Sequence, residues 1–370
     1  MKVAIVGYRG MVGSVLVDRM KEEGDFKKHE IQFFSTSSPG ERLDNIDYLA
    51  SNLLGDAYDL EYLKSFECII TCQGSDYTNK VYPRLKNENW KGYWIDAASG
   101  LRMNKESLIC LDPVNLEVLL KGIGDGVKTF VGGNCTVSLL LMALSPLFKN
   151  KSIEWISSMT YQAASGAGAK NMKELLTQMK FLGTYAKDLI EMDRNILEID
   201  SKINEGLSHA TFPKTEFGYP LAGNTLPWID VLAEGGQSKE EWKAMVEANK
   251  ILQSEKVIPI DGTCVRVGAM RSHAQGLTIK LNKDLPLDEI TQMIDEDNDW
   301  SFCVPNSKEE TLSNLTPVNV SGTMKIPVGR LRKMKMGNSY LNAFTVGDQL
   351  LWGAAEPLRR MLNIINENKK

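Results

Sequence analysis

The segment GGNCT at residues 132–136 places a cysteine where a short apolar run ends and helical periodicity begins. The periodicity covers residues 137–147, so the sulfur of Cys135 is predicted at a helix N-terminus. Unpaired backbone N–H groups and the helix dipole stabilise a thiolate there, and a thiolate is the nucleophilic form of cysteine. Gly132 and Gly133 leave room for a substrate. The position predicts nucleophilic chemistry, and a structural cysteine is equally compatible with it.

A thiol nucleophile needs a group that exchanges protons near neutral pH, and the chain offers three histidines. His29 lies in a charged stretch that predicts a solvated side chain, and His209 precedes a loop. His273 follows Arg266 by seven residues, which would put the two on opposite faces of one regular strand. The two can serve one site only if a turn or bulge lies between residues 268 and 272. A hydrogen-bonded structural histidine is the alternative.

Gly7, Gly10 and Gly13 form a glycine turn between the first apolar run and an amphipathic helix. Such glycines let backbone N–H groups approach a pyrophosphate, and a tight turn without a ligand is the alternative. An NAD-specific site carries a carboxylate about 20 residues further on, where this chain has hydroxyl residues at 35–38. These hydroxyls and Arg9 favour a 2′-phosphate and therefore NADP. A polar loop with a solvated arginine remains the other interpretation.

These residues must be positioned by strands and helices, and the first third of the chain predicts a parallel sheet. Residues 2–6 form an apolar run, and apolar residues then recur at helical spacing until Gly24. Further strand-like runs occur at residues 31–34, 68–72, 93–97 and 129–131. Helical or polar stretches separate them. This alternation predicts an α/β fold with a parallel, doubly wound sheet of the Rossmann type.

The pattern changes after residue 133 and predicts an α+β domain with a mixed or antiparallel sheet. Long strands are predicted at residues 152–163, 263–270, 274–281, 326–334 and 340–345, with the last two joined by a turn at 337–338. The strands at 263–270 and 274–281 alternate like antiparallel strands. Helical periodicity covers residues 171–200 and 240–252, and a closing amphipathic helix is predicted at 346–366.

Composition and charge limit the classes of protein to which the chain can belong. With 370 residues it is expected to fold as two domains, since single cores stop growing near about 250–300 residues. The net charge of −4, with both signs mixed along the sequence, argues against a nucleic-acid partner. No window resembles a membrane span or a signal peptide. Six sparse cysteines without a C-x-x-C pair predict a cytoplasmic protein with reduced thiols.

Ordered motifs along nearly the whole chain resemble the aspartate-β-semialdehyde dehydrogenase family, in particular its Gram-negative bacterial branch. They are GYRGMVGSVL, FFSTSS, QGSDYT, IDAASGLRM, GGNCTVSLLLMAL, YQAASGAGA, PLAGNTLPWID, EEWK, CVRVGAMRSHAQ and GDQLLWGAAEPLRRML. The resemblance implies an NADP-dependent enzyme without a metal. It would interconvert aspartate semialdehyde plus phosphate with aspartyl phosphate, in the biosynthesis of lysine, threonine and methionine. It also implies a homodimer built through the second domain.

The resemblance assigns catalytic and substrate-binding roles residue by residue. Cys135 matches the nucleophile that carries the acyl group, His273 the acid/base, and Gln162 an amide that orients the substrate. Arg266 matches the guanidinium that holds the substrate carboxylate, and Glu240 matches the partner of its ammonium. Arginine suits the planar, bidentate capture of a carboxylate, so the residue types agree with these roles.

The resemblance also implies a phosphate site and a dinucleotide site. Arg102 and Lys243 match the phosphate-binding pair, and the sequence EEWK leaves Glu240 and Glu241 as alternatives for the ammonium. The dinucleotide contacts fall on Arg9, Gly10, Met11, Val12, Gly13, Thr36, Ser37, Ser38, Gln73, Ser165, Gly166 and Gln349. The chain departs from the branch at residues 191–194, where Glu-Met-Asp-Arg replaces a frequent proline, so a nicotinamide contact there is open.

These assignments predict a thioester mechanism on a two-domain chain. Cys135 attacks the aldehyde, His273 takes the thiol proton, hydride passes to NADP, and phosphate attacks the thioester. The backbone N–H of Cys135 and Asn134 are predicted to stabilise the oxyanion. Residues 1–133 and 350–370 are predicted to bind NADP, and residues 134–349 to carry catalysis and dimerisation. The alternatives are an N-acetyl-glutamyl-phosphate reductase, whose substrate has no ammonium, and a nucleotide-binding regulator.

Overall fold

The N-terminal part of the chain forms a parallel sheet, and the computed structural model describes residues 1–43 and 49–369. The strands are β1 (Lys2–Val6), β2 (Glu30–Ser35), β3 (Gly55–Asp56), β4 (Cys68–Thr71), β5 (Tyr93–Asp96), β6 (Ser107–Cys110) and β7 (Thr129–Gly132). Their order is β3-β2-β1-β4-β5-β7-β6, and all neighbours are parallel. The predicted parallel sheet is confirmed. The sequence pattern did not predict β3 and β6, which are too short to show a periodicity.

A second, mixed sheet follows. Its strands are β8 (Ile153–Gln162), β9 (Thr225–Leu226), β10 (Ile260–Asp261), β11 (Cys264–Val267), β12 (Ser272–Leu281), β13 (Ser301–Cys303), β14 (Ile326–Met334) and β15 (Gly337–Asp348). The order is β13-β14-β15-β12-β8-β11-β9, with β10 also pairing with β8. The pairs β12/β8, β12/β15 and β14/β15 are antiparallel, whereas β11/β8 and β13/β14 are parallel. The predicted mixed sheet is therefore confirmed.

The helices cover both sheets. They are α1 (Met11–Glu22), α2 (Leu60–Leu63), α3 (Ser75–Asn87), α4 (Asp112–Gly124), α5 (Cys135–Lys149), α6 (Ala169–Tyr185), α7 (Lys187–Glu191), α8 (Ile196–Leu207), α9 (Lys239–Leu252), α10 (Leu287–Asp297), α11 (Lys308–Asn314), α12 (Pro317–Val320) and α13 (Glu356–Asn368). Residues 136–148 of α5 are all buried. A helix that is apolar on every side belongs inside a core, so α5 has little freedom to move its first residue. Within the described residues, no helix has the length and apolar character needed to cross a membrane.

Four predictions about the elements of the second half are wrong in detail. The helical stretch at 171–200 is divided among α6, α7 and α8, and a break follows Met192, where Asp193 adopts a positive φ of 49°. The strand at 263–270 ends at Val267, and β11 runs parallel to β8. The turn between β14 and β15 lies at residues 335–336, with Gly337 already paired with Met334. Local patterns do not specify the strand partner, which decides the three points that concern strands.

The predicted closing helix at 346–366 is also wrong in its first half. Val346 and Gly347 belong to β15 and pair with Ala274 and His273. A π-helical turn, Leu351–Ala355, follows before α13 begins. A short buried apolar run fits a strand and a helix equally well, so its hydrophobicity could not distinguish the two.

The last helix returns to the first sheet. Leu358, Met361, Leu362 and Ile365 of α13 are fully buried in the same apolar cluster as strands β1, β2, β4 and β5. Burial of each such side chain stabilises the fold by roughly 1.5–3 kcal/mol. His29, predicted to be solvated, is buried because its Nε2 contacts Asn363 Oδ1 of α13 at 3.1 Å. The segment between β15 and α13 is therefore held between the two sheets.

Candidate active site

Cys135 is the first residue of α5 and keeps partial exposure to solvent. Asn134 caps the helix, since its side-chain oxygen accepts hydrogen bonds from the backbone N–H groups of Thr136 and Val137. A Cβ atom at Gly353 would lie 2.8 Å from the Cβ of Cys135. A glycine there lets the π-helical turn pack directly against the predicted nucleophile, which leaves the sulfur one side open to a substrate.

The environment of the thiol does not ionise it. Burial raises the pKa of Cys135 to about 12, and the nearby charge of Glu240 acts in the same direction. The guanidinium groups of Arg102 and Arg266 lower the pKa, but by less. Burial therefore opposes the thiolate that the helix N-terminus favours, and the two arginines act in favour of it.

Three strand ends bring Gln162, Arg266 and His273 to one edge of the second sheet. Gln162 is the last residue of β8, and Arg266 of β11 is its neighbour in the parallel register. Since β12 is antiparallel to β8, β12 begins at the edge where β8 ends, and His273 is its second residue. Residues 268–271 form the turn that the spacing of Arg266 and His273 required.

The peptide group of Ala163 ties the imidazole to the guanidinium. Its N–H donates to His273 Nδ1 at 3.0 Å, and its carbonyl oxygen accepts from Arg266 Nη1 at 2.7 Å. A Cβ atom at Gly166 would lie 2.9 Å from Arg266 Nη1 and 3.0 Å from His273 Nε2. Only a glycine therefore fits at position 166, and the two side chains lie side by side.

The imidazole of His273 is neutral and carries its hydrogen on Nε2. Burial, and then the charge of Arg266, lower the pKa of His273 to about 3. Because Nδ1 accepts a hydrogen bond from Ala163, the hydrogen of the neutral ring is placed on Nε2. Nε2 is buried and has no partner among the described residues. The predicted acceptance of the thiol proton does not fit this tautomer, which presents a donor to the site.

Glu240 joins the nucleophile's segment to the second sheet. Its Oε1 accepts from Asn134 Nδ2 at 3.0 Å and from Gln162 Nε2 at 3.2 Å. Its Oε2 accepts from Lys243 Nζ at 2.9 Å. Burial raises the pKa of Glu240, but the charge of Lys243 and these hydrogen bonds outweigh burial and hold the pKa below its ordinary value. The carboxylate is therefore ionised beside the thiol.

The structure distinguishes Glu240 from its neighbour Glu241. Glu241 belongs to a capping box, where Oε2 accepts from the backbone N–H of Ser238 at 2.7 Å. Its Oε1 accepts from the backbone N–H of Cys264 at 3.1 Å. Both oxygens of Glu241 are thus used by the backbone. Glu240 is the carboxylate that faces Cys135, as the electrostatic coupling of the two groups requires.

Arg102 is buried and anchored from three directions. Its Nε donates to the Gly132 carbonyl at 2.7 Å, and its Nη2 to the Ala97 carbonyl at 3.4 Å. Its Nη1 pairs with Glu247 Oε1 at 3.3 Å, and Glu247 Oε2 accepts from the backbone N–H of Asn134 at 2.7 Å. One buried carboxylate therefore links the predicted phosphate ligand to the residue before Cys135.

Asn134 has one side-chain donor left. Its backbone N–H donates to Glu247, and one of the two hydrogens of its side-chain Nδ2 is directed to Glu240. The oxyanion role of Asn134 therefore stays a prediction that depends on the second Nδ2 hydrogen. The backbone N–H of Cys135 makes no hydrogen bond within residues 1–43 and 49–369, and it remains the donor at the helix N-terminus.

Arg266 differs from the other cations of the site. Arg102 and Lys243 are each within ion-pair distance of a carboxylate. Arg266 is buried and has no such partner in the part of the chain that the structure describes. A buried guanidinium without a counter-ion is costly unless a ligand supplies the negative charge. The geometry of this site fits a carboxylate ligand at Arg266.

The glycine turn has the tight backbone that a pyrophosphate needs. A Cβ atom at Gly13 would lie 2.1 Å from the Gly7 carbonyl oxygen, and Gly7 itself has φ +82°. Gly10 precedes α1, which begins with the predicted residues Met11 and Val12. The N-terminus of α1 therefore opens onto a backbone cradle that side chains would block.

The hydroxyl side chains that follow β2 lie around the guanidinium of Arg9. Arg9 Nη2 donates to Ser38 Oγ at 2.8 Å and to Ser35 Oγ at 3.3 Å. The backbone N–H of Ser37 also donates to Ser35 Oγ. Glu41 pairs with Arg9 at 3.3 Å, and both side chains are half exposed. The segment thus places a half-exposed guanidinium among hydroxyl groups.

Three more of the residues predicted to contact the dinucleotide are Gln73, Ser165 and Gln349. Gln73 Nε2 donates to Thr36 Oγ1 at 3.2 Å, beside the hydroxyl segment. Ser165 Oγ donates to the Arg271 carbonyl, so its hydroxyl hydrogen is already used. Gln349 is buried, and its Nε2 has no partner among the described residues. An orphaned buried amide donor fits a bound group with a hydrogen-bond acceptor.

The segment at residues 191–194, where the sequence differs from the family pattern, lies at the surface. Met192 is 66% exposed, and Arg194 Nε pairs with Glu198 Oε2 at 3.0 Å. Within the described residues, the hydrogen bonds and ion pairs of this segment do not involve the predicted site residues. Sequence reasoning missed Glu247 and Asp230. Glu247 had a usable signal, because residues 240, 243 and 247 share one face of a helix.

Comparisons with known proteins agree with this architecture. Residues 2–121 match the family described as semialdehyde dehydrogenase, NAD binding domain, and residues 144–352 match semialdehyde dehydrogenase, dimerisation domain. A structure of aspartate semialdehyde dehydrogenase from Francisella tularensis is 46% identical, with a TM-score of 0.95, over 99% of this chain and 100% of that one.

Two more distant structures share the fold. Aspartate semialdehyde dehydrogenase II from Vibrio cholerae, complexed with ASA, is 21% identical with a TM-score of 0.78, and covers 100% of this chain and 99% of that one. Aspartate semialdehyde dehydrogenase with NADP from Candida albicans is 15% identical with a TM-score of 0.68, over 99% and 98% of the two chains.

Proposed function

The chain belongs to the aspartate-semialdehyde dehydrogenase family, and on this premise we propose that it interconverts aspartate 4-semialdehyde, phosphate and NADP with 4-phospho-aspartate and NADPH. The observation that carries the proposal is the convergence of Cys135 with an ionised Glu240 and with Arg266, which is buried and has no ion-pair partner among the described residues. A substrate with an aldehyde, a carboxylate and an ammonium offers one group to each of them.

The first chemical step joins the sulfur of Cys135 to the aldehyde carbon. The S–H bond breaks, the C–S bond forms, and the hydrogen ends on the former carbonyl oxygen as a thiohemiacetal. The Nε2 hydrogen of His273 and the backbone N–H of Cys135 stabilise the negative charge that develops on that oxygen. A neutral imidazole can polarise a carbonyl in this way, and one such donor is worth roughly 2.7–4 kcal/mol.

The second stage converts the thiohemiacetal into an acyl phosphate. The chemistry that a bound NADP would supply here is the acceptance of a hydride from the thiohemiacetal carbon, and the hydroxyl proton would leave to solvent. Phosphate attacks the resulting thioester, the C–S bond breaks, and the thiol of Cys135 is restored. Arg102 and Lys243 bind the phosphate, while Gln162 helps to orient the acyl group. The biosynthetic direction runs these steps in reverse.

NADP is the proposed dinucleotide rather than NAD. Residues 35–38 provide hydroxyl groups and no carboxylate, and Arg9 lies among them. A 2′-phosphate would replace Glu41 as the partner of Arg9. The glycine turn at residues 7–13 would hold the pyrophosphate, and the orphaned amide of Gln349 would meet the nicotinamide end. Gly166 would let the ring approach His273.

The proposed active species is a homodimer of a two-domain chain. Residues 1–133 and 350–370 form the proposed NADP-binding domain, although residues 44–48 and 370 lie outside the described ones. Residues 134–349 form the catalytic and dimerisation domain. The packing of α13 on the first sheet and of α5 against the second sheet supports this division.

An N-acetyl-glutamyl-phosphate reductase is the nearest alternative. Its substrate carries no ammonium, so a buried, ionised Glu240 would face an uncharged amide at a high cost of desolvation. A regulator without catalysis would not need the strained proximity of Gly166 to His273 and Arg266. Glu240 therefore favours the substrate with a free ammonium.

The decisive assay mixes the purified protein with aspartate semialdehyde, NADP and phosphate and follows the absorbance of the reduced cofactor. We expect steady turnover that Cys135→Ser abolishes while the variant keeps its fold, measured by circular dichroism. NAD in place of NADP should lower kcat/KM. Absence of turnover by the wild type, or an undiminished rate in Cys135→Ser, would refute the proposed function.

Omission of phosphate tests the thioester. The proposal predicts a burst of reduced cofactor no larger than the number of sites, because only phosphate releases the acyl group rapidly. Steady turnover without phosphate would mean that water or another group takes the acyl group. N-acetyl-glutamate semialdehyde should not be oxidised at a comparable rate.

A further inference from the structure

The two cations of the proposed phosphate site are already paired. Lys243 Nζ lies 2.9 Å from Asp230 Oδ2 and 2.9 Å from Glu240 Oε2. Arg102 pairs with Glu247 at 3.3 Å. The two cations thus already pair with three carboxylates. Phosphate must therefore compete with a carboxylate for each of them.

The three carboxylates differ in which group could neutralise their negative charge. Glu240 faces Cys135 and, on the proposed function, meets the ammonium of the substrate. Glu247 is buried and is held by Arg102 and by the backbone N–H of Asn134. Asp230 contacts Lys243 from outside the cleft, and no other ion pair of Asp230 occurs within the described residues. Asp230 is therefore the carboxylate that no substrate group neutralises.

Asp230 also lies in a largely exposed segment. It follows β9 on the way to α9 and adopts a positive φ of 73°, which is unfavourable for most residues other than glycine. Its neighbours Trp228, Val231 and Leu232 are 50%, 63% and 68% exposed. A segment with few buried apolar contacts opens at a low free-energy cost. The contact of Asp230 with Lys243 can therefore be broken without disturbing the core.

We propose that the carboxylate of Asp230 competes with phosphate for Lys243, so that phosphate binds by displacing it. This inference rests on the proposed function, because it takes Lys243 as a phosphate ligand. In the absence of phosphate, Asp230 keeps the ammonium of Lys243 in position and neutralised. When phosphate arrives, it replaces one carboxylate with a more highly charged anion. The residue thereby sets the affinity for phosphate without touching the reacting carbon.

The test is Asp230→Asn, with the KM for phosphate measured at saturating aspartate semialdehyde and NADP. An amide still accepts a hydrogen bond from Lys243 and tolerates a positive φ, so only the charge is lost. We expect the KM for phosphate to fall by about fivefold, as for the loss of an ion pair worth about 1 kcal/mol, with kcat within about twofold of the wild type. The matched control is Glu234→Gln, which removes an exposed charge from the same segment and should leave the KM for phosphate unchanged.

A second measurement does not depend on catalysis. Inorganic phosphate should raise the Tm of Asp230→Asn at lower concentrations than the Tm of the wild type or of Glu234→Gln. An unchanged or higher KM in Asp230→Asn, or equal phosphate dependence of the three Tm values, would overturn the competition. If the wild type did not turn over at all, the proposed function would fail, whereas the Tm titration would still decide whether Asp230 opposes phosphate.

Discussion

At the scale of single residues, the peptide group of Ala163 controls the chemistry of two side chains. By donating to His273 Nδ1 it places a hydrogen on the nitrogen that faces the site, and by accepting from Arg266 it fixes the guanidinium beside that nitrogen. The imidazole cannot gain a second proton there, since burial and the adjacent positive charge both oppose it. His273 is thereby kept as a neutral donor over the whole physiological pH range.

The depressed pKa of His273 predicts a pH dependence of stability. In the unfolded chain the imidazole takes a proton below about pH 6.5, whereas the folded protein binds one only near pH 3. The unfolded state thus binds more protons between these values, so stability falls as the pH is lowered through this window. Between pH 7.5 and 5, the wild type should lose about 2 kcal/mol more of its unfolding free energy than His273→Asn.

Urea denaturation of both proteins at the two pH values measures this difference, and kcat at pH 7.5 should fall by about 10²–10⁴-fold in the variant. Because the carboxylates titrate equally in both proteins, their contribution cancels. An identical acid dependence of the two proteins would show that folding does not lower the pKa of His273.

At the scale of elements, the first turn of α9 carries two adjacent carboxylates with different roles. Glu241 stabilises the helix end, and Glu240 belongs to the candidate site. Ser238 and Glu241 close the helix end, which turns Glu240 towards Asn134 and places Lys243 on the same face. Glu247 lies two turns further along that face and reaches the residue before α5. The face of one helix thus fixes both the N-terminus of α5 and the cations of the site.

Substitutions of the two neighbouring glutamates are expected to change different properties, stability for Glu241 and substrate affinity for Glu240. Glu241→Ala breaks the capping box and should lower the unfolding free energy by about 1 kcal/mol, with little change in the KM for aspartate semialdehyde. Glu240→Gln should raise that KM by about tenfold or more, since it removes a charged hydrogen bond to the ammonium. Denaturation curves and steady-state kinetics of both variants give the comparison. The reverse pattern would assign the ammonium to Glu241.

At the scale of the whole molecule, the second sheet presents an apolar face to solvent. Met159 and Tyr161 alternate with buried residues along β8 and are 39% and 40% exposed. Tyr161 also contacts Phe344 of β15 at a ring distance of 6.3 Å. Exposed apolar faces of this kind mark contacts between proteins. Because β8 ends at Gln162, a partner on this face would support the strand that carries part of the site.

The proposed homodimer predicts the effect of a charge on this face. Met159→Lys should convert a dimer into a monomer in light scattering after size-exclusion chromatography, because a buried, unpaired ammonium opposes association. The matched control is Met336→Lys, at a 62% exposed position in the turn between β14 and β15, and it should remain dimeric. A monomeric wild type, or a dimer that tolerates Met159→Lys, would contradict an interface on this face.

Local patterns in the sequence were enough to predict many of the strands and helix starts of this protein. The apolar runs and glycines predicted the strands β1, β2, β4, β5 and β7, and the helical periodicity that follows Cys135 predicted its place at the start of α5. These features depend on residues only a few positions apart, whose backbone preferences and periodicity are visible along the chain. The need for a turn between Arg266 and His273 also followed from spacing alone.

The tertiary structure alone decided which groups meet and in which charge state. The contacts of Glu247 with Arg102 and of Glu240 with Asn134 join residues more than 100 positions apart. Strand partners made β11 parallel to β8, and pairing with β12 made residues 346–348 a strand rather than a helix. Burial raises the pKa of the Cys135 thiol, whereas the helix N-terminus seen in the sequence favours a thiolate. Long-range pairing and desolvation depend on the packed surroundings of a group, which a single stretch of sequence does not contain.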